Sequence, residues 1–314
     1  MSVRAPARYR RAGLPEAVTV YEVGPRDGLQ NEPTTVAVEV KAELVRRLAG
    51  AGLRTIEATS FVSPKWIPQM ADAEAVMSRL PDVPGARYPV LVPNLPGLER
   101  AQKAGATHVA VFAAATETFS RRNLNRSLDE ALEMFAPVVA RARAGGLWVR
   151  SYLSMCFGDP WEGDVPVDQV VAVSVRLLEQ GCDQLCVADT IGVATPGHVH
   201  RVLEALDAAG LAPGEVAVHF HDTYGQALAN TLAALEAGVR TVDASAGGLG
   251  GCPYAESATG NLATEDLVWM LDGLGIETGV DLQDLVATSA WMAGQLGRPS
   301  PSRVVNALAG GSSP

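Results

Sequence analysis

Two histidines, His219 and His221, stand two residues apart in VHFHDTYGQ, and in an extended strand that spacing sends both imidazoles to one face. Paired neutral imidazoles can share a cation. Other segments offer partners of suitable type: Arg26 and Asp27 in VGPRDGLQNE, Glu57 in IEATS, Asp189 in ADTIG and Asn261 in TGNLATEDL. The Asp27 carboxylate, the two imidazoles and the Asn261 amide oxygen form a mixed O/N ligand set without thiolate. Such a set suits octahedral Mg2+ or Mn2+ with open water positions better than structural zinc. A cation held this way binds a substrate hydroxyl and carbonyl together and lowers the pKa of the hydroxyl.

Each residue also has a plainer reading. Arg26–Asp27 fits a surface ion pair, and Glu57 fits a partner for a buried arginine. A strand histidine fits a satisfied core residue, and Asp189 fits an N-cap to the helix near TPGHVHRVLEAL. His198 and His200, at the start of that helix, read as solvent-facing, and His108 has no partner pattern.

The elements that must position these groups follow a repeated plan of periodic helix, glycine and short β-rich run. Helices end at Gly52, Gly105, Gly145–Gly146, Gly181 and Gly238, where glycine suits the left-handed residue that closes a helix. Adding 18–23, 88–93 and 215–221 gives eight short apolar strands alternating with helices, the pattern of a parallel sheet. Eight such units in this length predict a closed (β/α)8 TIM barrel, with extra C-terminal helices near 263–274 and 281–297. Catalytic groups of such barrels lie at the C-terminal strand ends. Asp27, Glu57, Asp189, His219 and His221 all fall there, with no comparable polar cluster at the opposite end. The Arg-rich opening, residues 1–16, reads as a flexible arm, with a transit peptide as the other reading. Residues 17–314 read as one domain.

Composition narrows the partners. The 314 residues are 47% hydrophobic, enough for a sizeable core, and carry a formal net charge of -10. That balance argues against nucleic acid, which requires a basic stripe. No stretch reaches membrane-spanning length, so no membrane partner is expected. Of the four cysteines, Cys182 and Cys186 are expected on one face of a strand as small buried hydrophobes. Their spacing lacks the second pair of a zinc site. With no sign of an oxidising compartment, the expected location is the cytoplasm. Cys252 sits among Gly247, Gly248, Gly250 and Gly251; that loop reads equally as a mobile lid or as a tight connection with an inert thiol.

The runs EVGPRDGLQNE, TSFVSPKW-x-PQM, H-x-HDTYGQALANTL and GLGGCPYA…GNLATEDLV resemble hydroxymethylglutaryl-CoA lyases of the TIM-barrel metallolyase superfamily, over about residues 18–298. The resemblance implies metal ligation by Asp27, His219, His221 and Asn261. It implies enolate stabilisation by Arg26, active-site shaping and proton handling by Glu57 and Asp189, and catalysis by Cys252. The implied reaction is retro-Claisen cleavage of 3-hydroxy-3-methylglutaryl-CoA to acetyl-CoA and acetoacetate, a step of leucine degradation, by a homodimer. The acyl-CoA thioester is the implied partner; the resemblance assigns no residue to its nucleotide, for which Lys65 is offered only as a nearby basic side chain.

The chain departs from the family pattern near the mouth. Asp159 and Trp161 in SMCFGDPWEG replace Cys and Tyr, Phe220 stands where Cys is frequent, and ESATGN replaces Q-G-A-S-G-N. A 3-hydroxyglutaryl-CoA with a longer branch at C3 is therefore a second candidate substrate. Two other functions would leave marks of their own. An acetyl-CoA-dependent condensing synthase would be expected to carry a G-E-R-type run where this chain has GGCPYA. A non-catalytic barrel would be expected to have lost a ligand or Cys252.

Overall fold

The computed structural model describes residues 4–251 and 260–309. Its strands are short and rich in β-branched residues, and every pairing between them is parallel. They are β1 (Thr19–Glu22), β2 (Thr55–Ile56), β3 (Thr59–Ser60), β4 (Val90–Leu91), β5 (His108–Ala114), β6 (Trp148–Ser154), β7 (Gln184–Asp189), β8 (Val216–Phe220) and β9 (Thr241–Ala244). Their order is β2-β1-β9-β8-β7-β6-β5-β4-β3.

The two ends of that order are halves of one segment, 55–60. Between them Glu57 N donates to Glu22 O at 2.8 Å and Ala58 N donates to Pro89 O at 2.9 Å, so the segment is bonded to both neighbours. The ring therefore closes through a broken strand, and with β2 and β3 counted as one it is the expected eight-stranded TIM barrel. The break falls at Glu57, a residue singled out for chemistry.

Helices cover the barrel because its strands alternate in what they bury. Val20, Ile56, Val187, Val218 and Val242 point outward into the main core, against Leu44, Val45 and Leu48 of α1 (Val38–Gly50) and the later helices. These are α2 (Ala73–Met77), α3 (Leu95–Lys103), α4 (Glu117–Leu124), α5 (Leu128–Ala144), α6 (Val167–Glu179), α7 (Pro196–Ala208) and α8 (Ala227–Glu236). Leu91, Ala110, Tyr152, Cys186 and Ala217 form a separate cluster inside the barrel. Helices α9 (Thr264–Gly273) and α10 (Leu282–Leu296) fall where expected, and a third, α11 (Arg303–Ala309), follows them. No described helix is long and apolar enough to cross a membrane. Residues 4–16 run along this end of the chain: Tyr9 N donates to Gly273 O at 2.8 Å, and Arg11 pairs with Glu236 at 2.6 Å.

Two expectations need correction. Cys182 and Cys186 do not share a face, because Cys182 precedes the strand, which starts at Gln184. Cys182 packs in the outer cluster with Val138, Val139 and Phe135, whereas Cys186 lies inside the barrel. His198 does not simply face solvent. It is half-buried, with its ring edge-on to Phe157 at 5.2 Å between centroids, and burial lowers its pKa.

Gly52 and Gly105 both adopt the left-handed conformation anticipated from their positions, with φ of 103° and 84°. Their surroundings differ. A Cβ at Gly52 would lie 2.1 Å from Gly279 O, whereas at Gly105 it would meet nothing within 4 Å. Gly105→Ala should cost only the backbone strain, about 1–2 kcal/mol. Gly52→Ala should cost roughly 2 kcal/mol more, because backbone must shift. Urea unfolding of both variants checks this; equal losses would contradict the close approach.

Candidate metal centre and active site

The ligand cluster sits on three segments that meet at the C-terminal rim of the barrel. After β1 the chain makes one wide turn, Gly24–Gly28, in which Val23 O accepts from the amides of Arg26, Asp27 and Gly28 at 3.2, 2.8 and 3.1 Å. That turn presents Arg26 and Asp27 together over the barrel mouth. Strand β8 carries His219 and leads to His221, and a bridge from His221 to Asn261 draws the segment before α9 alongside it. The ligand-type atoms of Asp27, His219 and His221 all lie within 4.8 Å of one another. Asn261 joins them by donating Nδ2 to Asp27 Oδ2 at 2.8 Å and to Leu249 O at 3.0 Å. The four residues predicted as ligands are thus brought together from widely separated parts of the chain.

Several features fit a hard divalent cation here. Asn261 Oδ1 and His221 Nδ1 are buried without a hydrogen-bond partner among the described residues, an arrangement that costs free energy unless another group meets them. Burial and then His219 pull the His221 imidazole down to about 3, so it is neutral and able to ligate. Burial pushes the Asp27 carboxyl up, but Arg26 above all, helped by the Asn261 amide, brings it to about 2, so it is an anion. Its side chain keeps 24% exposure, which leaves the cluster open on one side.

Beside the cluster, Arg26 is fixed. Its Nε donates to Glu57 Oε2 at 2.7 Å, Nη2 lies 2.6 Å from the same oxygen, and Nη1 donates to Asp27 Oδ1 at 2.6 Å. The Arg26–Asp27 pair, which also fitted a surface bridge, is part-buried, and Glu57 is the acid that aims the guanidinium. Burial holds the Glu57 carboxyl above its ordinary value, against the pull of Arg26 and Arg150. Asp189, at the end of β7, accepts from Val193 N and Ala194 N, both at 2.9 Å. Burial raises its carboxyl to about 6 despite those bonds. Cys252 lies outside the described residues, as do Glu256–Thr259 of the ESATGN segment. Asp159, by contrast, is well placed: Oδ2 accepts from Thr116 Oγ1 at 2.6 Å and Oδ1 from the amides of Trp161 and Glu162. In place of a thiol, this chain has a carboxylate that ties its own loop to the end of β5. Lys65 is exposed on the loop after β3.

Sequence reasoning missed three side chains. Tyr152, whose hydroxyl donates to Glu57 Oε2 at 3.2 Å, sits in an apolar-looking run. Arg150 and Asp243 form an ion pair at 2.6 Å inside the barrel, and Asp243 also meets His219. The alternation R-x-Y in WVRSYLS was the available signal, because an Arg at an inward strand position demands a buried anion.

A family model described as HMGL-like matches residues 17–292. A protein of Gallus gallus named hydroxymethylglutaryl-CoA lyase, mitochondrial, is 51% identical over 294 residues, covering 94% of this chain and 98% of that relative. The crystal structure of hydroxymethylglutaryl-CoA lyase from Pseudomonas aeruginosa matches with a TM-score of 0.93 at 47% identity, covering 96% of this chain and 100% of that one. The structure of an HMG-CoA lyase from Acinetobacter baumannii in complex with coenzyme A and 3-methylmalate matches with a TM-score of 0.89 at 36% identity, covering 96% and 97%.

The glycine-rich segment that leads toward Cys252 is anchored at its root by two buried acids. Glu22 Oε1 accepts from Gly24 N and Ala246 N, both at 2.8 Å, and Oε2 accepts from Thr264 Oγ1 at 2.6 Å. Glu265 accepts from Gly247 N at 2.9–3.0 Å and from Ser289 Oγ. Burial pushes these carboxyls up to about 7 and about 8. An acid whose folded pKa is raised holds its proton more tightly in the native chain, so its contribution to stability is lost as pH rises from about 4.5 through about 8. Glu265→Gln removes that penalty, and its unfolding midpoint should gain on the wild type progressively across this window. A gap between the two proteins that stays level with pH would contradict the raised pKa.

Proposed function

As the chain belongs to the HMGL-like family, we infer that it is a carbon–carbon lyase that cleaves 3-hydroxy-3-methylglutaryl-CoA to acetyl-CoA and acetoacetate with the help of a divalent cation. The observation that carries the reading is the convergence of Asp27, His219 and His221 beside a fixed Arg26–Glu57 pair. Asn261 completes the proposed ligand set, through the side-chain oxygen left without a partner. Mg2+ or Mn2+ is the proposed ion, since carboxylate, amide oxygen and imidazole without thiolate suit those cations. When bound, the cation supplies Lewis-acid polarisation of the substrate oxygens.

The remaining work falls to side chains. Cleavage of the C2–C3 bond leaves an enolate on the thioester, with charge collecting on its oxygen. Arg26 meets that charge with N–H donors already oriented by Glu57 and Asp27, so little reorganisation is needed as charge develops. Tyr152 helps hold the Glu57 oxygen that receives two Arg26 nitrogens. Asp189, with its carboxyl near 6, is placed to exchange a proton at working pH; it and Glu57 are the acids assigned to proton handling. Proton delivery to the enolate is assigned to Cys252. The substrate is a CoA thioester, as the coenzyme A complex of the Acinetobacter baumannii relative supports. Assembly as a homodimer is proposed on the family resemblance. The free thiols of Cys156, Cys182 and Cys186 suit a reducing compartment, and the cytoplasm is the proposed one.

Purified protein with Mg2+ or Mn2+ and a panel of 3-hydroxy-3-alkylglutaryl-CoA thioesters should release acetyl-CoA, fastest from the methyl or a slightly longer homologue. Release should vanish with chelator and return with metal. No acetyl-CoA from any thioester, or turnover indifferent to chelation, would sink the assignment. Arg26→Met should lower kcat by about 100- to 1,000-fold with KM within a few-fold, as loss of one preorganised donor group does. A change confined to KM would place Arg26 in binding alone.

A further inference from the structure

One layer beneath the ligand cluster the barrel interior is not aliphatic. Arg150 on β6 and Asp243 on β9 are completely buried there, with Arg150 Nη2 donating to Asp243 Oδ1 at 2.6 Å. The guanidinium lies over the Tyr21 ring at 3.8 Å and the Tyr152 ring at 4.7 Å. Asp243 sits directly across from His219 in the β8–β9 register, and its second oxygen, Oδ2, lies 3.2 Å from His219 Nδ1. Cys186 Sγ approaches the same oxygen at 3.6 Å.

We propose that Asp243 is a positioning residue for the metal centre, holding His219 as the Nδ1–H tautomer so that Nε2 is the nitrogen offered to the Asp27–His221 cluster, and that Arg150 anchors Asp243 in the register this requires. The inference rests on the metal reading of that cluster. A carboxylate facing Nδ1 can only accept, so the hydrogen must sit on Nδ1, and the lone pair is left on Nε2. A carboxylate in the middle of a barrel would be free to swing, and would be costly to bury, without a cation beside it. Arg150 meets both demands: its ion pair takes Oδ1 and leaves Oδ2 for the imidazole. The planar guanidinium is itself sandwiched by two tyrosines, so the whole chain Arg150–Asp243–His219 has little room to rotate.

The experiment has three arms. In wild-type, metal-free protein labelled with 15N-histidine, the neutral ring of His219 (assigned by loss of its signal in His219→Gln) should carry its one proton on Nδ1 and leave Nε2 bare. The opposite tautomer would overturn the proposal. Asp243→Asn offers the imidazole an amide N–H in place of an acceptor, and should weaken Mn2+ binding, followed by calorimetry or by electron paramagnetic resonance, by about 10- to 100-fold. Because that variant leaves Arg150 unpaired in the core, the double substitution Arg150→Met with Asp243→Leu removes both charges together, an exchange that folded proteins often tolerate. It should show the same weakened Mn2+ binding. Wild-type affinity in either variant would overturn the inference, and should neither variant fold, the tautomer measurement decides it. Failure of the metal reading itself looks different, because the unmutated protein would then bind no Mn2+.

Discussion

The organising constraint of this molecule is that its barrel interior, a place of low dielectric, carries charge on several levels, and each buried charge has to be answered by another. At the lower level Arg150 answers Asp243 one to one. At the upper level one guanidinium, Arg26, is shared by two carboxylates, Glu57 and Asp27. The upper level is thus left with an excess of acceptor groups: the Asp27 carboxylate, the unmatched Asn261 oxygen and two imidazoles. A divalent cation is the chemical species that such an excess calls for. On this view the metal site is the unbalanced remainder of an otherwise neutral column of ion pairs. Arg26 is held in part by the same carboxylate, Asp27, that would hold the ion.

Geometry follows from that column. The broken strand 55–60 places Glu57 at the point where the barrel closes, between bonds to Glu22 O on one side and Pro89 O on the other. An acid at that seam cannot drift without opening the ring. The turn Gly24–Gly28 is equally confined, because a Cβ at Gly24 would meet Glu22 Oε1 at 2.6 Å and one at Gly28 would meet Leu249 Cβ at 2.8 Å. Arg26 and Asp27 are therefore set from below by glycines that admit close approach and from the side by a strand that cannot slide.

Much of this was legible in the sequence, for identifiable reasons. The helix-ending glycines gave the units and so the barrel, since a left-handed closing residue is a local demand that tertiary packing seldom overrides. His219 and His221 were readable from a spacing of two because strand alternation is rigid. Interior polar pairing was not readable in the same way. Arg150 and Asp243 are 93 residues apart, and nothing local says that β6 and β9 contribute to one layer. The error over Cys182 and Cys186 has the opposite origin: an even spacing was extended past the true start of β7, where alternation no longer holds.

Asp189 is not the helix cap of its plainer reading, because Thr195 is the N-cap of α7. It was expected either to cap the chain entering the next helix or to handle protons. Its two oxygens accept from Val193 N and Ala194 N, which ties down the loop ahead of α7 rather than the helix end itself. Those same bonds would normally favour the anion, yet burial lifts its carboxyl to about 6. A carboxyl fixed by two backbone donors cannot rotate away from the mouth, and one lifted toward neutrality can gain and lose a proton without large cost. Anchoring fixes the position and burial raises the pKa, so substituting Asp189 would disturb the loop and its charge together.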